Sequence, residues 1–123
     1  MAQNNIFGTE LESCSLSPIT GFFRNGCCET DETDFGKHTI CVVMTDDFLK
    51  FSMQVGNDLS TPRPEFAFPG LKEGDRWCVC LGRWIEALRA GRAPKIVPEA
   101  CHEDVLEHVP MQILIDYAWN KTE

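Results

Sequence analysis

Seven cysteines, at positions 14, 27, 28, 41, 78, 80 and 101, are the residues of this 123-residue chain with the widest chemical range. A thiolate is a nucleophile, a redox centre and a soft metal ligand. Seven is an odd number, so the thiols cannot all pair within the chain. In a reducing compartment the expectation is mostly buried thiols, since free cysteine is among the most buried residue types. Cys27 and Cys28 are the best candidates for catalysis: they follow the turn signal Asn25-Gly26, stand near Arg24, and neighbouring thiols can oxidise, although a disulfide between adjacent residues is strained.

Metal binding is the competing chemistry. His38 and Cys41 lie close in sequence to Cys27-Cys28, but adjacent cysteines strain chelation, and a strand sends His38 and Cys41 to opposite faces. No metal ligand set is assigned, and zinc stays a possible but unfavoured cofactor. Glu29 to Lys37 carries four acidic residues without the offsets of a calcium loop and reads as a solvated loop. His102 reads as the cap of a helix starting at Glu103, and His108 as solvent-exposed.

A second set of polar residues suits a small molecule. Asp58, Ser60, Thr61, Arg63 and Glu65 share the proline-rich loop Asn57 to Gly70 with Phe66 and Phe68, and Asp75 and Arg76 follow it. Arg63 or Arg76 would grip an anion, with Asp58 or Glu65 as base. The alternative is an internal ion-pair network that holds the loop. The chain has no dinucleotide fingerprint, phosphate-binding P-loop or Gly-x-Ser-x-Gly elbow.

The elements that position these groups follow from periodicity. His38 to Met44 is apolar on both alternating faces and predicts a central strand. Thr45 caps a helix carrying Phe48, Phe51, Ser52 and Val55 on one face, stopped at Gly56. Cys78-Val79-Cys80 admits two readings. On a strand the two thiols share a face; on a helix they point about 200° apart. The spacing of Trp77, Leu81, Trp84, Ile85 and Leu88, with Asp75 as N-cap and Gly91 past the end, favours one helix from Arg76 to Ala90. Further expectations are a short strand at Asn5 to Gly8, a strand at Lys95 to Ala100, a short helix at Glu103 to Val109, and a last helix from Pro110 through Trp119. In that last helix Met111, Leu114, Ile115 and Ala118 form the buried stripe. The sum is one α+β domain over the whole chain, with about three helices on a small mixed sheet.

Composition bounds the rest. The net charge of −8 and pI near 4.8 disfavour nucleic acid, whose binders need clustered cations. The apolar run from Ile40 to Met44 is far too short to cross a bilayer, and the first residues do not read as an export signal, so the expected location is the cytoplasm.

The strings Thr20-Gly-Phe-Phe-Arg-Asn-Gly-Cys-Cys28, His38-Thr-Ile-Cys41, Gly56-Asn-Asp-Leu-Ser-Thr-Pro-Arg-Pro-Glu65, Phe68-Pro-Gly-Leu71 and Gly74-Asp-Arg-Trp-Cys-Val-Cys80 resemble a family of small, mostly bacterial proteins known as domain of unknown function 2237. The resemblance covers nearly the whole chain, from about residue 5 to residue 119. It implies that Cys14, Cys27, Cys28, Cys41, Cys78, Cys80, Asp58, Arg76, Trp77 and His102 fall on family positions. It implies no activity, cofactor or partner. Cys101 stands where the family usually has threonine, and Asn25 where it usually has aspartate. The favoured functional reading is a small-molecule-binding or thiol-dependent enzyme-like domain, with the Asn57 to Gly70 loop and the Cys27-Cys28 turn bordering one pocket. An interaction module with structural cysteines comes second and a zinc-binding domain third.

Overall fold

The computed structural model describes residues 3–119. Three helices and a two-stranded antiparallel sheet make up its regular elements: β1 (Ile40–Val43), α1 (Asp46–Gln54), β2 (Arg76–Val79), α2 (Leu81–Arg89) and α3 (Met111–Asp116). This is an α+β domain. Short 3₁₀ turns at Pro64–Phe66, Pro98–Ala100 and Glu103–Glu107 punctuate the loops.

The strand β1 forms where two-faced apolar patterning requires it, with Ile40, Cys41 and Val42 all fully buried. Its register against β2 pairs Ile40 with Val79 and Cys41 with Cys78. Ile96 adds a single antiparallel bridge to Val42 and a parallel one to Ala118, so a mixed ladder surrounds the two strands. The expected strand at Lys95 to Ala100 goes no further than Ile96, because Pro98 starts a 3₁₀ turn. The short N-terminal strand is likewise reduced to bridges, Asn4 to Glu10 and Asn5 to His102.

The helix expected from Arg76 to Ala90 is corrected. Arg76–Val79 is strand, and the helix begins only at Leu81. Pairing with β1 overrides the helical spacing: Trp77, Cys78 and Val79 are all buried in the ladder, and the Cys78 N–H donates to Thr20 Oγ1. Asp75 caps no helix but accepts from the Lys72 N–H in the preceding turn. From Leu81 onward the periodicity holds, burying Leu81, Trp84 and Ala87. Trp84 is fully buried, its indole N–H donates to the Pro94 carbonyl at 3.1 Å, and Tyr117 meets its ring edge-on. Gly91 follows the helix with φ of 72°, as a C′ glycine should.

Thr45 caps α1, accepting from the Phe48 N–H, and Phe48, Leu49 and Ser52 face the core. His102 accepts from the Asp104 N–H as expected, although the turn it caps is 3₁₀ rather than α. The last helix is shorter than its pattern suggests. Only Leu114 of its stripe is fully buried, while Met111 and Ile115 are exposed.

Two disulfides, Cys14–Cys41 and Cys28–Cys78, tie the N-terminal loops to the two strands. The expectation of free thiols therefore holds only for Cys27, Cys80 and Cys101. Each bridge closes a loop, of 27 and 50 residues in sequence separation. Cross-links of this span stabilise a fold by about 2–4 kcal/mol each, mainly by restricting the unfolded chain. Denaturant titration of the oxidised protein and of protein reduced in metal-free buffer should differ by that amount per bridge; coincident curves would show that the bridges add no stability.

Candidate functional site

The groove where β2 hands over to α2 gathers the reactive side chains. Cys80 is the N-cap residue of α2 and is half-buried. Its sulfur lies 3.4 Å from His38 Nε2, and His38 Nδ1 lies 2.7 Å from Asp34 Oδ1. A carboxylate is only an acceptor, so Nδ1 carries its proton toward Asp34 and Nε2 is the atom offered to Cys80. This is a thiol, an imidazole and an orienting carboxylate in one line.

Each member is held by its surroundings. Asp34 is fully buried in a turn closed by the bond from the Asp34 N–H to the Asp31 carbonyl. Its second oxygen accepts from the His38 N–H at 2.9 Å and from the Thr30 hydroxyl at 3.0 Å. Burial alone would raise its carboxyl, but these donors and the His38 ring together hold it below the usual carboxylate range. His38 is pushed up to about 9, first by its hydrogen bond with Cys80 and then by Asp34, against the opposing effect of partial burial. The Phe22 ring stacks over the imidazole at 5.9 Å. Gly36 packs so closely below that a Cβ there would sit 3.0 Å from the Cys80 sulfur and 3.2 Å from His38 Cε1.

Cys80 also meets the start of α2. The N–H of Leu81 donates to the Lys37 carbonyl, and those of Arg83 and Trp84 to the Cys80 carbonyl. That leaves the Gly82 N–H without a protein acceptor among the described residues, at the positive end of the helix that Cys80 opens. Open space surrounds Gly82. A cavity of about 610 Å³ lies there, lined by Phe35, Lys37, Cys80, Gly82, Arg83, Ile85 and His108. A second cavity, of about 240 Å³, is lined by His38 together with Arg24, Leu59, Arg63, Phe66, Phe68 and Trp77. A recess of about 70 Å³ shares Cys80 with the first cavity and His38, Leu59 and Trp77 with the second.

The residues singled out from the sequence are distributed otherwise. Cys28 has no free thiol: it is fully buried and bonded to Cys78. Cys27 keeps its thiol, half-buried, and burial followed by the neighbouring Glu29 pushes it up, away from the thiolate. Asp58 spends both oxygens on its own turn, accepting from the N–H groups of Ser60 and Thr61 and from the Thr61 hydroxyl. Arg63 pairs with Glu65 at the surface, and Arg76 stacks on Trp119. Of that set only Arg63 lines the cavity beside His38, where Arg24 represents the Cys27-Cys28 turn. Ser60 and Asp75 border a separate cavity of about 440 Å³.

A model of proteins described as uncharacterised and conserved in bacteria, domain of unknown function 2237, matches residues 4–118. The chain belongs to that family. No curated protein matches the chain. Family membership assigns no reaction, so the chemistry of the site rests on its geometry. Sequence reasoning missed Asp34 and Cys80 and discounted His38. The Glu29 to Lys37 segment read as solvated, yet it contains the buried Asp34, four residues from His38, and the helix reading of Cys78-Val79-Cys80 set Cys80 aside. The strand reading of that motif was the signal for Cys80.

Two outcomes follow from this geometry. His38 binds its proton more tightly folded than unfolded, so its contribution to stability is complete below its ordinary value of 6.5 and is lost as pH rises through about 9. The stability difference between wild type and His38→Gln, measured by denaturation across that window, should shrink with rising pH; a constant difference would disprove the linkage. Gly36→Ala should push the sulfur and the ring apart. Its His38 midpoint, followed by NMR, should fall toward 6.5 with little change in melting temperature, whereas an unchanged midpoint would place the packing elsewhere.

Proposed function

We propose that this domain is a thiol-dependent enzyme acting on a small electrophilic substrate, with Cys80 as nucleophile. The alignment of Asp34, His38 and Cys80 through contacts of 2.7 and 3.4 Å supports this most directly. Nucleophile, base and orienting group within reach of one another are the recurring signature of covalent catalysis. A half-exposed thiol at a cavity mouth adds access.

The best-supported reaction is acyl transfer. His38, which holds a proton up to about 9, faces the Cys80 sulfur as an imidazolium that Asp34 steadies, and the sulfur attacks a carbonyl carbon with its proton already on Nε2. The carbonyl oxygen gains negative charge beside the Gly82 N–H and the positive end of α2. Collapse breaks the bond to the leaving group, which takes the proton back from His38. Water then attacks the thioester, giving its proton to the now neutral His38, and the acyl group leaves as the acid with the Cys80–His38 pair restored. Arg24 and Arg63 give the cavity behind His38 a preference for an anionic group, and Phe66, Phe68 and Trp77 give it an apolar wall.

Native protein treated with iodoacetamide and mapped by mass spectrometry should label Cys80 ahead of Cys27, and His38→Gln should slow that labelling by about tenfold or more. With para-nitrophenyl acetate, an acetyl group should accumulate on Cys80. Faster labelling of Cys27, or a Cys80 rate indifferent to His38→Gln, would overturn the assignment. Labelling without acetylation would keep the nucleophile and reject acyl transfer.

A further inference from the structure

Behind the catalytic groove lies a second concentration of sulfur that the proposed chemistry does not use. The Sγ atoms of Cys14, Cys28 and Cys78 all lie within 4.8 Å of one another, and Cys41 Sγ is bonded to that of Cys14. All four cysteines are at most 3% exposed. Three sulfurs thus converge on one buried point, and the fourth, Cys41, is bonded to one of them.

We infer that the reduced form of this cluster is a binding site for a single zinc ion, with Cys14, Cys28, Cys41 and Cys78 as its four ligands. A zinc–thiolate bond is about 2.3 Å, so a tetrahedral set places its sulfurs about 3.8 Å apart. Cys14 Sγ lies within 4.8 Å of both sulfurs of the Cys28–Cys78 bridge, so a small movement brings it to that spacing. Reduction of both disulfides by an external dithiol or phosphine, with four electrons and four protons, frees the four thiols to turn toward the ion. The backbones are suitably spaced, with Cα atoms 5.7 Å apart across Cys14–Cys41 and 5.4 Å across Cys28–Cys78.

Rigidity favours the site. Cys41 and Cys78 are directly opposed in the ladder, and their N–H groups are tied off to Cys101 Sγ and Thr20 Oγ1. Cys14 is fixed by its N–H bond to the Gly26 carbonyl. Sulfur-only coordination selects soft or borderline cations such as zinc over magnesium or calcium. On binding, the four thiols release four protons and bind the dication as thiolates; no electron is transferred. The inference stands apart from the Cys80 chemistry, since the ligands exclude Cys80 and His38.

The test uses the full chain, reduced anaerobically by a phosphine, freed of metal and then given zinc or cobalt(II) alone. Native mass spectrometry should show one zinc per chain, and cobalt should produce the intense visible bands of a tetrahedral tetrathiolate. The Cys27→Ser/Cys80→Ser double variant, which removes the two half-exposed thiols, should bind as well as wild type. Cys28→Ser should lose the tetrathiolate spectrum. Absence of bound zinc in the reduced wild type would overturn the inference, as would a cobalt spectrum that collapses in the double variant. Should Cys28→Ser fail to fold, wild type and the double variant decide the matter on their own.

Discussion

The register of the β1–β2 ladder is the constraint on which the rest of the molecule depends. Pairing Ile40 with Val79 sets Cys41 against Cys78 and brings His38 to the end where Cys80 leaves the sheet. A slip of one residue would turn every side chain of a strand to the opposite face. Both disulfides, the imidazole–thiol contact and the entry angle of α2 would be lost together. A ladder of four residue pairs is weak in isolation, so its neighbours must hold it. Trp84 and Phe48 pack in the same core, and the two disulfides anchor the strands to the N-terminal loops.

Around that ladder the cysteines divide into two populations. Those that end in the core are bonded or held in an apolar setting, as with Cys101, which burial pushes up to about 12. Cys80 stands one residue beyond the strand, where the chain turns from sheet to helix and the side chain reaches solvent. The end of the strand at Val79 and the abrupt start of a helix are enough to give Cys78 and Cys80, two residues apart, opposite chemical characters. Position relative to an element boundary separates them, because their immediate sequence neighbours are much alike.

Much of the fold was legible in the sequence because it is written in local patterns. The two-faced apolar run at Ile40, the Thr45 cap and the spacing of Leu81, Trp84, Ile85 and Leu88 each specify an element without outside help. The errors arise where distant partners decide. Arg76–Val79 satisfies a helical pattern and became strand because β1 offers hydrogen bonds and a buried face. The polar loop 57–70 looked like a binding surface by composition, yet Asp58 is engaged in its own turn. Asp34 sat unnoticed in an acidic stretch, since only tertiary structure shows that one carboxylate of that run is buried beneath a histidine.

The disulfides have a consequence for how the chain comes apart. Each has one end in the loops before residue 30 and the other in a strand, and Cys14 and Cys28 flank the exposed stretch containing Leu16, Ile19, Phe22 and Phe23. A protease that cuts this stretch severs the backbone while both fragments stay covalently joined, the first through Cys14 and the second through its own ladder. Such a nicked molecule would migrate as intact protein on a non-reducing gel and divide in two only when the sulfur bonds are opened.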